Sequence, residues 1–131
     1  MHEILQPEGW AAPKGYANGV AARGRMVFVG GQIGWNADAV FETDDLVAQI
    51  RQTLLNVVAI VARAGGRPED VTTLTWYLLD KREYLARSRE IGQVYREVLG
   101  RHFPAMAAVQ VSGLIEERAK VEIQAIAVVG D

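Results

Sequence analysis

The chain has 131 residues, of which 50% are hydrophobic and 23% charged, so we expect one ordered domain spanning residues 1–131. Its net charge of −2 lacks the basic excess of a nucleic-acid-binding protein, and the absence of cysteine excludes disulfides and thiolate catalysis. His2 and His102 are too few for a histidine metal cluster, so we expect no metal. Residues 1–10 show no basic start followed by an apolar run, and no apolar run is long enough to span a bilayer. We therefore expect a cytoplasmic protein without a membrane partner.

Short strands are predicted in the first part of the chain, after an irregular opening over residues 7–15. The apolar runs Gly19–Ala22 and Met26–Val29 predict a hairpin, in which Gly24 supplies the positive φ of a tight turn. The pair Gly30-Gly31 follows the second run and indicates a β-bulge or a close approach to the backbone. A short third strand is expected next.

A first amphipathic helix is predicted to begin near Thr43 or Asp44, either of which can cap it, and to end at Gly65-Gly66. Its apolar residues recur at helical spacing: Leu46, Ile50, Leu54, Val57, Val58 and Val61. The run Val71–Leu79 is rich in Thr, Trp, Tyr and Val, which predicts a strand.

A second helix is predicted from the cap Asp80 to Gly100, with Gly92 in its middle at some cost in helix stability. Two strands follow, Ala107–Val111 and Lys120–Val129. The last strand is apolar on both faces, as strands buried on both sides are. Two helices can cover only one face of the sheet, so we infer an oligomer in which another copy covers the second face.

Several short motifs, in this order, resemble the Rid family, also called YjgF-like or L-PSP. Val27–Gln32 is similar to the family's strand ending in Ser-Gly-Gln, and Val71–Asp80 to its central strand. Phe103–Ala105 matches the start of a Phe-Pro-Ala-Arg motif, and Val121–Ala127 the terminal strand. The resemblance covers nearly the whole chain and includes first-helix matches at Gln49, Asn56, Ala64 and Gly65.

The resemblance implies an α+β, chorismate-mutase-like fold: a mixed six-stranded sheet with two helices on one face, assembled as a homotrimer. It also implies a cleft at each subunit interface, where active members hydrolyse enamines or imines released by pyridoxal-phosphate enzymes, giving a keto acid and ammonia. No metal and no bound cofactor is implied. The expected partners are a small-molecule ligand and other copies of the chain.

Glu122 is the catalytic candidate, because a carboxylate between apolar strand neighbours needs a partner or a special role. It matches the family acid that positions or activates the attacking water. The alternative is an interface carboxylate held by an arginine. Tyr16 matches a family tyrosine near the cleft; the alternative is a core or rim aromatic residue.

Three further substrate-binding candidates come from the resemblance. Gly30 and Gly31 fall where the family sets backbone groups against substrate, with Gly30 replacing the usual serine. Tyr84 matches a second-helix aromatic residue that reaches the neighbouring site. A family asparagine aligns with Ser88 or with Gly92, and both Tyr84 and Ser88 are also compatible with packing and surface roles.

Met106 is also a substrate-binding candidate, and it is the chain's main departure from the family. Deaminases of the family have an arginine here that grips the substrate carboxylate through paired hydrogen bonds. Methionine has no donor and gives an apolar lining. Gln110 stands where many members have glutamate. Arg101 or Arg118 could supply the missing cation, although a surface position is favoured for both.

These residues support two hypotheses of different classes. The first is a small-molecule hydrolase acting on an imine, enamine or related reactive intermediate other than the usual 2-imino acid. The second is a non-catalytic protein that binds an apolar ligand in the cleft. Ribonuclease activity is disfavoured, because the chain is acidic overall and has no histidine pair suited to that chemistry.

Overall fold

The computed structural model describes residues 2–130. The described residues form six strands: β1 (Glu3–Leu5), β2 (Gly19–Ala21), β3 (Arg25–Ile33), β4 (Val71–Leu78), β5 (Ala105–Gln110) and β6 (Val121–Val129). The helices are α1 (Leu46–Arg63), α2 (Lys81–Ala86) and α3 (Ser88–Leu99). The α+β class with a mixed sheet is therefore confirmed.

The strands form two sheets, so the prediction of a single six-stranded sheet was wrong. The larger sheet has the order β3-β6-β4-β5, in which only β4 and β5 are parallel. The smaller one pairs β1 with β2, and no strand lies between β3 and α1 in the described chain. The predicted hairpin of β2 and β3 is also absent, because β3 pairs with β6 from its first residue, Arg25 opposite Val129.

Gly24 explains this early pairing and gives a test of it. Its φ is +148°, and a Cβ built there would overlap the carbonyl group of Val129. We therefore expect Gly24→Ala to lower the free energy of unfolding by about 2 kcal/mol or more, through clash and backbone strain. Urea denaturation measures the change. The control, Gly113→Ala, meets no atom within 4 Å and should unfold like the parent; equal stability of the two variants would contradict the prediction.

The helix boundaries differ from the predicted ones in two places, the cap of α1 and the middle of the second helix. Asp45 caps α1 by accepting from the backbone of Ala48 at 2.9 Å, whereas Thr43 accepts from Asp45 itself, so the predicted caps Thr43 and Asp44 were wrong. The second predicted helix is two helices separated at Arg87. The guanidinium of Arg87 binds Asp45 at 2.6 Å and Glu90 at 2.9 Å, which ties the break to the start of α1. The Arg87 guanidinium and the Ala48 N–H, both bonded to the Asp45 carboxylate, hold the pKa of Asp45 below its ordinary value.

The helices cover one face of the larger sheet, as predicted. Leu74, Trp76, Leu78, Val121 and Ile123 are buried on that face. By length and hydropathy α1 could cross a membrane, yet its apolar side is buried in this core, as in core helices of soluble proteins. The opposite face is open and carries exposed apolar side chains: Met26, Phe28 and Val109.

Candidate functional site

Glu122 lies in the middle of the open face of the larger sheet. Its strand, β6, runs between β3 and β4, and its cross-strand neighbours are Ile33 and Tyr77. The side chain is half-buried. None of the ion pairs among residues 2–130 includes Glu122, so no arginine of the same chain holds this carboxylate.

The predicted bulge at Gly30-Gly31 is confirmed, and it leaves room for the side chain of Glu122. The ladder between β3 and β6 changes register between Val29 and Gln32. A side chain at Gly31 would overlap the carboxylate of Glu122, so glycine is what lets that carboxylate lie against β3. Gly30 is exposed, and its carbonyl accepts a hydrogen bond from the Gln32 amide at 3.1 Å.

Met106 lies on the other face of the sheet. It pairs in register with Leu74 on β4, so both side chains point toward the helices, and Met106 packs against the core. Tyr84 of α2 lies close by, with its ring edge-to-face on Trp76 at 6.1 Å between centroids. Burial raises the pKa of Tyr84, so its phenol stays protonated and able to donate at neutral pH.

Tyr16 is positioned at the start of β5. The backbone N–H of Ala17 donates to Pro104 at 3.0 Å, and Ala17 forms a parallel bridge with Ala105. This fixes the preceding residues beside Met106. Tyr16 itself is exposed and is not part of the core, which excludes the core-aromatic alternative within one chain.

A cavity of about 290 Å³ opens between α3, the start of β5 and the segment before Tyr16. Its apolar wall is formed by Trp76, Tyr84, Ile91, Tyr95, Phe103 and Met106. Its polar groups come from Lys14, Ser88 and Arg96. The volume is at the small end of ligand sites, and an apolar wall with a few polar groups is typical of them.

One chain therefore brings the candidates together in two groups. Tyr84 and Met106 line the cavity and Tyr16 flanks it, whereas Glu122 and the bulge glycines lie on the opposite face. Strand β4 separates β6 from β5, so the two groups do not meet within a single chain.

Arg96 and Trp76 are the site residues that sequence reasoning missed. The spacing of Ser88, Gly92 and Arg96, four residues apart on one helix face, was the available signal. Arg118 instead binds Asp44 at 3.0 Å, away from the cavity. Arg101 does not line the cavity.

Gln110 has a structural role at the end of β5. Its side-chain carbonyl accepts from the backbone N–H of Lys81 at 2.8 Å, which satisfies a free donor at the start of α2. Gln49 is fully buried and bonded to three backbone groups, so this motif residue is also structural.

The family described as Endoribonuclease L-PSP matches residues 8–129, which is nearly the whole chain. The chain belongs to this family.

One L-PSP relative is a RutC family protein of Haemophilus influenzae, 33% identical over 98% of each chain. Another, from Escherichia coli, is named 2-iminobutanoate/2-iminopropanoate deaminase and is 35% identical over 98% of each chain. A solved L-PSP-like structure, a Rid family protein of unknown function from Yersinia pestis, matches with a TM-score of 0.86 at 28% identity, covering 98% of both chains. The predicted resemblance to the Rid family is confirmed.

Proposed function

We propose that this protein is a cytoplasmic hydrolase that deaminates an imine, enamine or related reactive intermediate in a cleft between subunits of a homotrimer. The relative named as a 2-iminobutanoate/2-iminopropanoate deaminase supports this chemistry at the level of the family. The observation that carries the proposal is the carboxylate of Glu122, which lies against the Gly31 backbone and forms no ion pair with any of residues 2–130.

Glu122 is suited to acid–base work on a C=N bond. As the water oxygen bonds to the imine carbon, the carboxylate takes one proton from the water and passes it to the nitrogen, giving a carbinolamine. It then takes the hydroxyl proton as the carbonyl forms and delivers it to the nitrogen, and the C–N bond breaks to release ammonia. The balance is one imine and one water giving one carbonyl compound and one ammonia, so the reaction requires no redox cofactor.

The arrangement of the two groups of residues favours a site made by two copies. Met106 and Glu122 lie on opposite faces of one chain's sheet. The apolar open face also needs a cover, and in a closed ring of three copies a different surface of the neighbouring subunit would cover it. A neighbouring subunit can then bring its Glu122 to the cavity edge that carries Met106 and Tyr16.

Met106 sets the expected preference among substrates. We expect poor turnover of 2-iminopropanoate, at least about tenfold below the Escherichia coli relative, because no guanidinium stands at this position to pair with the carboxylate. Met106→Arg should raise kcat/KM on this imine about tenfold, whereas Met106→Leu should leave it unchanged. Kinetics on imine generated in situ, with ammonia or keto-acid detection, measure both. Parent activity equal to that of the relative would refute the prediction.

Met106 also supports the alternative function, a non-catalytic protein that binds a small apolar ligand in the same cleft. Ammonia release from a panel of in situ imines separates the two functions. Turnover that depends on Glu122 favours the hydrolase. Thermal stabilisation by ligands without turnover of any imine favours the binding protein.

A further inference from the structure

The cavity is lined by basic side chains that form no ion pair with the described residues. Arg96 lines it from α3. Among residues 2–130, neither Arg96 nor Lys14, the cavity's other cation, takes part in an ion pair. Both are exposed at the rim, so the mouth of the cavity is positive. An anionic group of a ligand would find partners there.

Gly92 directs Arg96 over this mouth. A Cβ built at Gly92 would meet one group only, the Nη1 of Arg96, at 3.2 Å. The guanidinium therefore folds back by one turn toward Ser88, as long helical side chains do. A glycine inside a helix costs stability relative to alanine. The gain here is room for Arg96 and for a ligand beside it.

Trp76 supplies an independent observation at the cavity wall. The residue is 1% exposed, and its Nε1–H is buried with no hydrogen-bond acceptor among the described residues. Buried indole N–H groups usually have a partner, and leaving one without a partner is costly. Because the nitrogen has almost no accessible surface, a ligand oxygen in the cavity would accept from this group once a side chain of the wall moves aside on binding. The surrounding wall of Tyr84, Tyr95 and Phe103 is aromatic.

We propose that this cavity binds a small aromatic or similarly bulky apolar acid, with its anionic group on Arg96 and an acceptor atom on the indole N–H of Trp76. The inference deepens the proposed function, because Met106 and Tyr84 line the same cavity. The preferred imine would then be larger than 2-iminopropanoate. Its carboxylate would lie near α3 and not beside Met106, which instead contacts the apolar part of the ligand.

Equilibrium binding tests this without turnover. The probes are 3-phenylpropanoate and its neutral analogue 3-phenylpropanamide, titrated by calorimetry into the intact protein. We expect the acid to bind at least about fivefold more tightly than the amide, a modest factor because Arg96 is partly solvated. In proton–nitrogen correlation NMR spectra, the indole N–H signal of Trp76 should shift on binding, whereas the indole signals of Trp10 and Trp35 should not. Equal affinity of acid and amide, or an unmoved Trp76 signal, would overturn the proposal.

Three variants separate the contacts. Arg96→Gln should remove the preference for the acid, whereas the control Arg89→Gln, on the same helix but outside the cavity, should retain it. Gly92→Ala should weaken binding while raising the melting temperature, because alanine favours the helix. Weakened binding that accompanied lowered stability would indicate a merely structural glycine and count against the proposal.

Turnover then distinguishes this inference from the proposed function. Kinetics are compared for imines generated in situ from alanine and from phenylalanine. Selective binding of the acid without ammonia release from either would refute the hydrolase and keep the cavity assignment. Deamination by the parent with the same selectivity in Arg96→Gln would keep the hydrolase and refute the role of Arg96.

Discussion

Glu122→Gln is expected to lower kcat on any imine substrate by at least about 100-fold while leaving fold and assembly unchanged. The amide keeps the shape of the side chain beside Gly31 but cannot take a proton from water. General acid–base groups typically contribute about 100- to 10,000-fold to the rate. Because the contact is made in the transition state, KM should change much less than kcat. Steady-state kinetics, with sedimentation on the same samples, measure both.

Two further variants test whether the loss of activity is specific to the Glu122 carboxylate. Glu117→Gln removes a carboxylate from an exposed loop and should leave kcat unchanged. Gly31→Ala keeps the acid but displaces it, because its methyl group would overlap the Glu122 carboxylate, so it should also lower kcat. Normal turnover by Glu122→Gln would remove the residue from the mechanism. Failure of that variant to assemble would assign it to the subunit interface.

The elements that sequence predicted well are those whose burial repeats along the chain. Strand β6 alternates Val121, Ile123, Ala125 and Ala127 toward the helices, and all four are buried there. Helix α1 likewise buries its periodic stripe, including Ile50 and Leu54. These signals are local, so one sequence contains them.

The elements that the sequence analysis predicted wrongly depend on contacts between residues that are far apart in the chain. The short run Gly19–Ala21 pairs with β1, because Gly24 ties β3 to the far end of the chain. The helix break at Arg87 coincides with ion pairs to Asp45 on another element. No local pattern encodes either partner, so spacing alone predicted a hairpin and one long helix.

The site shows the same division. Resemblance to family motifs identified Glu122, Gly31 and Met106 as separate candidates. It could not show that Met106 lies on the opposite face of the sheet from the other two. Nor could it show that Arg96 turns back over Gly92, since this depends on where α3 meets the cavity. The open face of the sheet, by contrast, was inferred from a strand that is apolar on both sides.

Phe28→Asp on that open face is expected to convert the protein to monomers and to abolish turnover together. Phe28 is 69% exposed in one chain and lies opposite Ile126 of β6, with Met26 on the same strand also exposed. Exposed apolar groups in contiguous patches mark interaction surfaces. A carboxylate in their place would have to lose water on assembly without a partner, which costs more than the burial of the ring gains. The fold itself should survive, because Phe28 is not part of the core beneath the helices.

The matched control places the same charge elsewhere. Ile115 is 96% exposed in the segment between β5 and β6, so Ile115→Asp should retain both assembly and activity. Sedimentation at micromolar concentration should give the parent and Ile115→Asp a mass three times that of the 14.4 kDa chain, and Phe28→Asp the mass of one chain. A monomeric parent would refute the trimer. Activity that persisted in monomeric Phe28→Asp would refute the shared cleft, because Glu122 and the Met106 cavity lie on opposite faces of one sheet and can meet only when two copies associate.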